Sequence, residues 1–260
     1  MENIQLQKMV ILIDADNTQL NKLESVIREI STHGRIVVKR AYGNWKKEAL
    51  KNWENELKRL AIKAVQQFDY VSGKNATDIA LVIDAVNLLN RDLYDGFVIV
   101  SSDSDYTPLA INLHESGVYV IGVGVKNTPE SFRNSCDDFI FLENIGGETD
   151  KGTSNIEDET EKHTQVEPKP DEFVENVNDD VDLDNIHQFL ALASEKYQDD
   201  NGFVNVSSAG TFIKRIKPDF DVRTFGYIKL PQLIEAFPDK YEIKRYPGKG
   251  TVTIVAYKCK

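Results

Sequence analysis

Across the first 145 positions two hydrophobic patterns alternate. Short apolar runs at residues 10–13, 36–41, 97–100 and 118–123 predict strands buried on both faces, with a weaker candidate at 68–71. Between them, residues 20–33, 45–65, 77–89 and 108–116 space their apolar positions as helices do. Gly34 and Gly117 fall where helix C-caps belong. Strand and helix in alternation predict an α/β fold with a mainly parallel, doubly wound sheet, whose binding groups gather at the carboxyl ends of the strands.

From residue 183 the pattern changes. Residues 183–197, 208–216 and 224–237 predict three short helices, and 241–258 a β-hairpin turned by Pro247, Gly248, Lys249 and Gly250. Three helices and a hairpin fit a small winged-helix-like α+β domain. Residues 146–182, between the two patterned regions, are poor in aliphatics and rich in Glu, Asp, Asn, Thr and Pro, so they cannot bury enough surface to fold. The expected organisation is a catalytic-size unit at 1–145, an acidic disordered linker at 146–182 and a second domain at 183–260.

Charge sharpens this division. The chain's net charge of −11 argues against a polyanion partner until it is divided, because 146–182 alone carry −10, while 183–260 carry +3. The linker is a solvated spacer or, less simply, an acidic mimic of nucleic acid that competes for a basic groove. No apolar run approaches the roughly 20 residues that cross a bilayer, and the first residues do not make a secretory signal, so a cytoplasmic protein with no membrane partner is expected. Cys136 and Cys259 stand alone, which suggests neither a zinc site nor a disulfide.

The chemistry lies in three acidic segments. In VILIDADN an apolar strand ends in Asp14 and Asp16, followed by Asn17; in FVIVSSDSDYTP another ends in Ser101 and Ser102, then Asp103 and Asp105. Thr107 suits the cap of the next helix and Pro108 its first position, which leaves both aspartates free for chemistry. Asp78 falls in the first turn of an apolar helix, where a charge also favours the helix dipole; Asp84, six positions on, is off that face. Together, Asp14, Asp78, Asp103 and Asp105 would repel one another unless a cation neutralised them. Mg²⁺ or Mn²⁺ suits carboxylate oxygens and can activate water against phosphorus. The implied reaction is phosphodiester hydrolysis.

VILIDADN, the KNATD segment around Asp78, and SSDSDYTPLAINLHESGVYVIGVG together resemble the NYN domain, a PIN-like nuclease family, over residues 8–145. The resemblance implies a Rossmann-like core, metal-dependent RNA cleavage, metal-site roles for Asp14, Asp78, Asp103 and Asp105, and an orienting role for Asn17. Two positions depart from the usual pattern: Asn75 and Ser102 stand where glycine is frequent. TFGYIKLPQLIEAFPDKYEIKR resembles the OST-HTH, or LOTUS, domain over residues 183–258, implying RNA binding or docking to a protein partner.

For single-stranded or structured RNA, the expected contacts are Tyr42, Trp45, Lys46 and Lys74 near the strand ends, with Arg223 and Lys229 in the second domain. Lysines would reach phosphates and aromatics would stack on bases. An amphipathic helix with its tryptophans in the core reads the same residues blandly. Two rivals stand beside the nuclease: a non-catalytic RNA-binding regulator, and a haloacid-dehalogenase-like phosphatase, because VILIDADNT also satisfies DxDxT with Asp14 as nucleophile.

Overall fold

In the computed structural model, residues 6–68, 75–146, 179–248 and 253–260 are described. The linker core 147–178, Lys74, most of the weak strand candidate at 68–71 and the hairpin tip at 249–252 lie outside them.

The first region is one sheet of parallel strands, β1 (Leu6–Asp14), β2 (Gly34–Gly43), β3 (Lys63–Gln66), β4 (Gly96–Val100), β5 (Tyr119–Gly124) and β6 (Asp138–Phe141), in the order β3-β2-β1-β4-β5-β6. The order reverses between β1 and β4, and at such a switch point an open α/β sheet leaves a crevice. Helices α1 (Leu23–Ile30), α2 (Trp53–Arg59), α3 (Ala76–Leu89), α4 (Thr107–Glu115) and α5 (Glu130–Asn134) complete the unit.

Strand parity decides which side chains meet. Met9, Ile11 and Ile13 of β1 enter one core with Val98 and Val100, under α1. Val10 and Leu12 enter the other with Phe97 and Ile99, under α3 and α4. This two-sided burial is why the strands read as continuous apolar runs. Asp14 has the parity of Val10 and Leu12, so its carboxylate is delivered to the face that carries the start of α3 and the loop into α4.

Three expectations are corrected. Residues 45–65 are not one helix: a 3₁₀ turn (Glu48–Leu50) precedes α2, and Ala61, with φ at 51°, ends it before the edge strand β3. Most side chains of β3 are exposed, so it carried no apolar signal. Gly34 does not cap α1; it opens β2, where a Cβ would stand 1.9 Å from the Leu6 carbonyl oxygen. Gly117 does cap α4, with φ at 83°. Finally, α5 and β6 were not foreseen, since five and four residues are too few for either periodicity to register.

The second region holds α6 (Asp179–Tyr197), β7 (Val204–Asn205), α7 (Val206–Ile216), α8 (Leu230–Glu235), β8 (Tyr241–Pro247) and β9 (Thr253–Cys259), with an antiparallel sheet ordered β7-β9-β8. The single helix expected at 224–237 is split: a 3₁₀ turn (Val222–Phe225) stops at Gly226, whose φ of 78° no helix continues, and α8 starts afresh. Its own core joins Leu190, Ile213, Leu233 and Tyr257.

This domain is seated on the edge of the first. The Phe139 N–H of β6 donates to the Pro218 carbonyl at 3.0 Å, closing an otherwise open edge strand. Around it, Arg133 pairs with Asp219, Lys214 reaches Asp138 at 2.6 Å, and Asn144 donates to Asp221 and Thr224.

Candidate functional site

Asp14 is completely buried at the end of β1, and each of its oxygens is occupied. Oδ1 accepts the Asp16 N–H at 3.1 Å; Oδ2 accepts Asn17 Nδ2 at 2.8 Å and Ser101 Oγ at 3.0 Å. Ser101 was noticed only as a strand end, yet it bridges β4 to Asp14 and also accepts the Asp103 N–H at 3.1 Å.

Asp78, half-buried at the start of α3, accepts the Tyr106 hydroxyl at 2.8 Å. Burial, then repulsion from Asp78 and Asp16, pushes the Asp14 carboxyl above its ordinary value against its two side-chain hydrogen bonds. Burial likewise raises Asp78, with further repulsion from Asp103, Asp105 and Asp16 opposed by Tyr106. The leading electrostatic neighbours of both groups are therefore other carboxylates. Tyr106 is itself buried beside Asp14 and Asp78, which drives its hydroxyl far upward and keeps it a donor.

The loop after β4 supplies the rest. Asp103, not Thr107, caps the following turn: its Oδ1 accepts the Asp105 N–H at 2.9 Å, while the Thr107 hydroxyl is buried with no partner among the described residues. The expectation that neither aspartate is needed as a cap is thus corrected, although Asp103 Oδ2 carries no such duty. Asp105 is exposed and accepts Asn75 Nδ2 at 2.9 Å. Ser102 Oγ accepts the Val125 N–H at 3.0 Å. Both residues found at frequent glycine positions are thus tied into the site. Gly124 must be glycine here, because a Cβ would lie 2.5 Å from Thr128 Oγ1 and 2.9 Å from the Ser101 carbonyl.

Asp84 belongs elsewhere, as its helix position implied. Burial pushes it up, but Arg40, at 2.5 Å, and the Tyr42 hydroxyl hold it below its ordinary value. In the DxDxT alternative, Thr18 and Asp16 would face phosphate; instead Thr18 Oγ1 donates to the Val100 carbonyl at 3.1 Å and Asp16 pairs with Lys47 at 3.3 Å. Cys136 is a buried free thiol pushed up to about 12, consistent with an inert core residue.

The RNA-contact residues fare unevenly. Tyr42 is corrected: it is wholly buried in the sheet core and its hydroxyl is spent on Asp84, so it has no face to offer a base. Trp45 is partly buried, its ring 6.1 Å from that of Trp53, and Lys46 is exposed with its ammonium 5.1 Å from the Phe68 ring centroid. Lys74 lies outside the described residues. Arg223 is held by Asp221 at 2.8 Å and Glu29 at 3.0 Å between the two domains, whereas Lys229 is exposed before α8.

The donor set suits a hard divalent cation, since Asp14, Asp78, Asp103 and Asp105 offer oxygens alone and the first two are raised by burial and then by neighbouring carboxylates. Among the described residues, no group of three or more His, Cys, Asp or Glu side chains stands assembled around a metal position. Tyr106 is the positioning residue that the sequence did not reveal. In Tyr106→Phe, Asp78 loses the hydrogen bond that restrains its pKa. Cleavage is expected to fall about tenfold, with the acid limb of the pH–rate profile moved to higher pH. An unmoved limb would leave Tyr106 a packing residue.

Comparison with known proteins finds two families along the chain, the second match beginning inside the segment expected to be the linker. Residues 8–143 match the family model of the NYN domain, and residues 172–253 that of the OST-HTH/LOTUS domain. The sequence has no match among curated proteins. Among solved structures it is similar to a protein of unknown function from Vibrio parahaemolyticus, 16% identical, with a TM-score of 0.44, covering 54% of this chain and 96% of that one. It is also similar to an uncharacterized protein from Nitrosomonas europaea, 22% identical, with a TM-score of 0.26, covering 42% of this chain and 92% of that one.

Proposed function

Since the chain belongs to the NYN domain family, a nuclease-type fold, and carries an OST-HTH/LOTUS domain behind it, we propose that it is a Mg²⁺- or Mn²⁺-dependent ribonuclease acting on single-stranded RNA. The observation that supports this reading is that Asp14 and Asp78, beside the β1/β4 switch point, are raised by burial and by neighbouring carboxylates, with no lysine or arginine paired to either among the described residues. A structural cluster would be paired with lysine or arginine, as Asp84, Asp138 and Asp219 are.

A divalent cation bound by Asp14, Asp78, Asp103 and Asp105 would supply the positive charge needed for water to displace a phosphodiester oxygen. The chain's own residues do the positioning. Asn17 and Ser101 orient Asp14 from two sides, Tyr106 fixes Asp78, and Asn75 steadies Asp105. The buried Asp14 carboxylate sits where bulk water does not compete for it. Single strands suit an open crevice, because their bases are free to stack while the backbone crosses the site. No helix among the described residues is long and apolar enough to cross a membrane, and the proposed partner is RNA, held in part by the second domain.

Purified full-length protein offered labelled single-stranded RNA and a small aryl phosphate, each with Mg²⁺ or Mn²⁺, is expected to yield RNA fragments, to release no phosphate from the monoester, and to stop in EDTA. RNA bound but uncut would make it a non-catalytic regulator. Monoester turnover that depends on Asp14 but survives Asp78→Asn would make it a phosphatase.

A further inference from the structure

Beside α2 is a cavity of about 450 Å³ that the acidic site does not use; its size is that of ligand clefts, roughly 300–1,000 Å³. Trp45 and the buried Leu50, Leu57 and Ile62 make its apolar wall, and four lysines against two glutamates surround it. The indole Nε1–H of Trp45 is buried out of reach of solvent with no partner among the described residues, so what Trp45 offers the cavity is its ring. The wall is preformed, since the Trp45 main-chain N–H donates to Gln66 Oε1 at 3.1 Å and the ring packs on Trp53.

The cavity adjoins the acidic crevice. Gly43, at the end of β2, has Trp45 Cη2 and Ala15 Cβ each 3.3 Å from where its own Cβ would stand, and Lys47 on the cavity rim reaches Asp16. The cavity's apolar wall belongs to the core on the α1 side of the sheet, opposite the face that receives Asp14, so it meets the acidic crevice at its rim, through Lys47 and Asp16.

We propose that the cavity holds one nucleotide of the RNA strand, its base against the Trp45 ring and its phosphate on the lysine rim. An apolar, aromatic wall suits a nucleobase, while the net positive rim suits the phosphate attached to it. Lys51 and Lys58 pair with Glu48 and Glu54 only at exposed positions, where such pairs are weak and yield readily to a phosphate. This assignment rests on RNA being the substrate, yet it is tested without cleavage.

Trp45 lines this cavity and Trp53, the chain's other tryptophan, packs behind it, so intrinsic fluorescence reports its occupancy. The full-length protein in EDTA is titrated with uridine and adenosine 5′-monophosphates, ribose 5-phosphate and inorganic phosphate. The nucleotides are expected to give a saturable change, at least about tenfold tighter than the two base-free probes. Trp45→Ala, read from Trp53 and by calorimetry, and the surface double variant Lys46→Glu/Lys51→Glu should each weaken it about tenfold, as expected for the loss of one base–aromatic contact or a reversed rim. No saturable change at millimolar nucleotide, equal affinity for inorganic phosphate, or parent-like binding by the double variant would overturn the proposal. A protein that cuts RNA but fails these titrations defeats the pocket alone; one that passes them but never cuts RNA defeats the nuclease reading alone.

Discussion

Asp78→Asn is expected to lower RNA cleavage about a thousandfold, equivalent to roughly 4 kcal/mol of transition-state stabilisation, while making the metal-free protein more heat-stable. The two effects share a cause. Asp78 is raised by burial and by the carboxylates around it, so in its charged form it costs folding energy that a bound cation would offset. Asparagine keeps the size of the side chain and an oxygen to accept the Tyr106 hydroxyl, but removes the charge. The pH dependence follows. For a carboxyl raised in the folded state, the cost is complete above the folded value and vanishes as pH falls toward the unfolded value, about 3.9. The gain in the variant should therefore be a few degrees at neutral pH, allowing for the group's partial exposure, and should shrink in acid. Scanning fluorimetry in EDTA at two pH values, beside a cleavage assay, reads both effects. Full activity would remove Asp78 from the site, and a melting point lowered at both pH values would make it a purely structural acid.

Arg133→Ala is expected to destabilise the intact chain by about 3 kcal/mol, because it leaves Asp219, whose side chain is 4% exposed, with the looser Lys217 contact at 3.9 Å in the seam between the domains. Removing one partner of a buried pair costs far more than the pair contributes, so Arg133→Ala/Asp219→Ala should recover part of the loss. A denaturant-unfolding cycle over the four proteins gives the coupling directly. Acid should weaken the same seam. Burial raises Asp138, but His33 and Lys214 hold it below its ordinary value, so its contribution is complete above about pH 4 and is lost as pH falls through the lower folded value. A single variant as stable as the parent would mean that the second domain is tethered rather than seated. Tethering is what a soluble-looking acidic segment between two patterned regions suggests; the seam is made of residues such as Arg133, Lys214 and Asp219 that look like ordinary surface charges one at a time.

What the sequence alone determined is the part written in contiguous residues. The apolar runs of β1, β4 and β5 announced a parallel sheet because both their faces are buried, and the aspartates at the ends of β1 and β4 pointed to where its chemistry is expected. Residue spacing also set Asp84 apart from Asp78 before any coordinate did so. Tertiary structure alone decided what depends on long-range neighbours. Parity put Asp14 under α3, beside a tyrosine from the loop after β4, and Tyr106 has no sequence signal because its partner lies 28 residues away. Tyr42 and Trp45 are three residues apart and both aromatic, yet one is wholly buried on Asp84 and the other lines a cavity. That difference is made by which helix packs over each, and strand ends or charge patterns do not encode it.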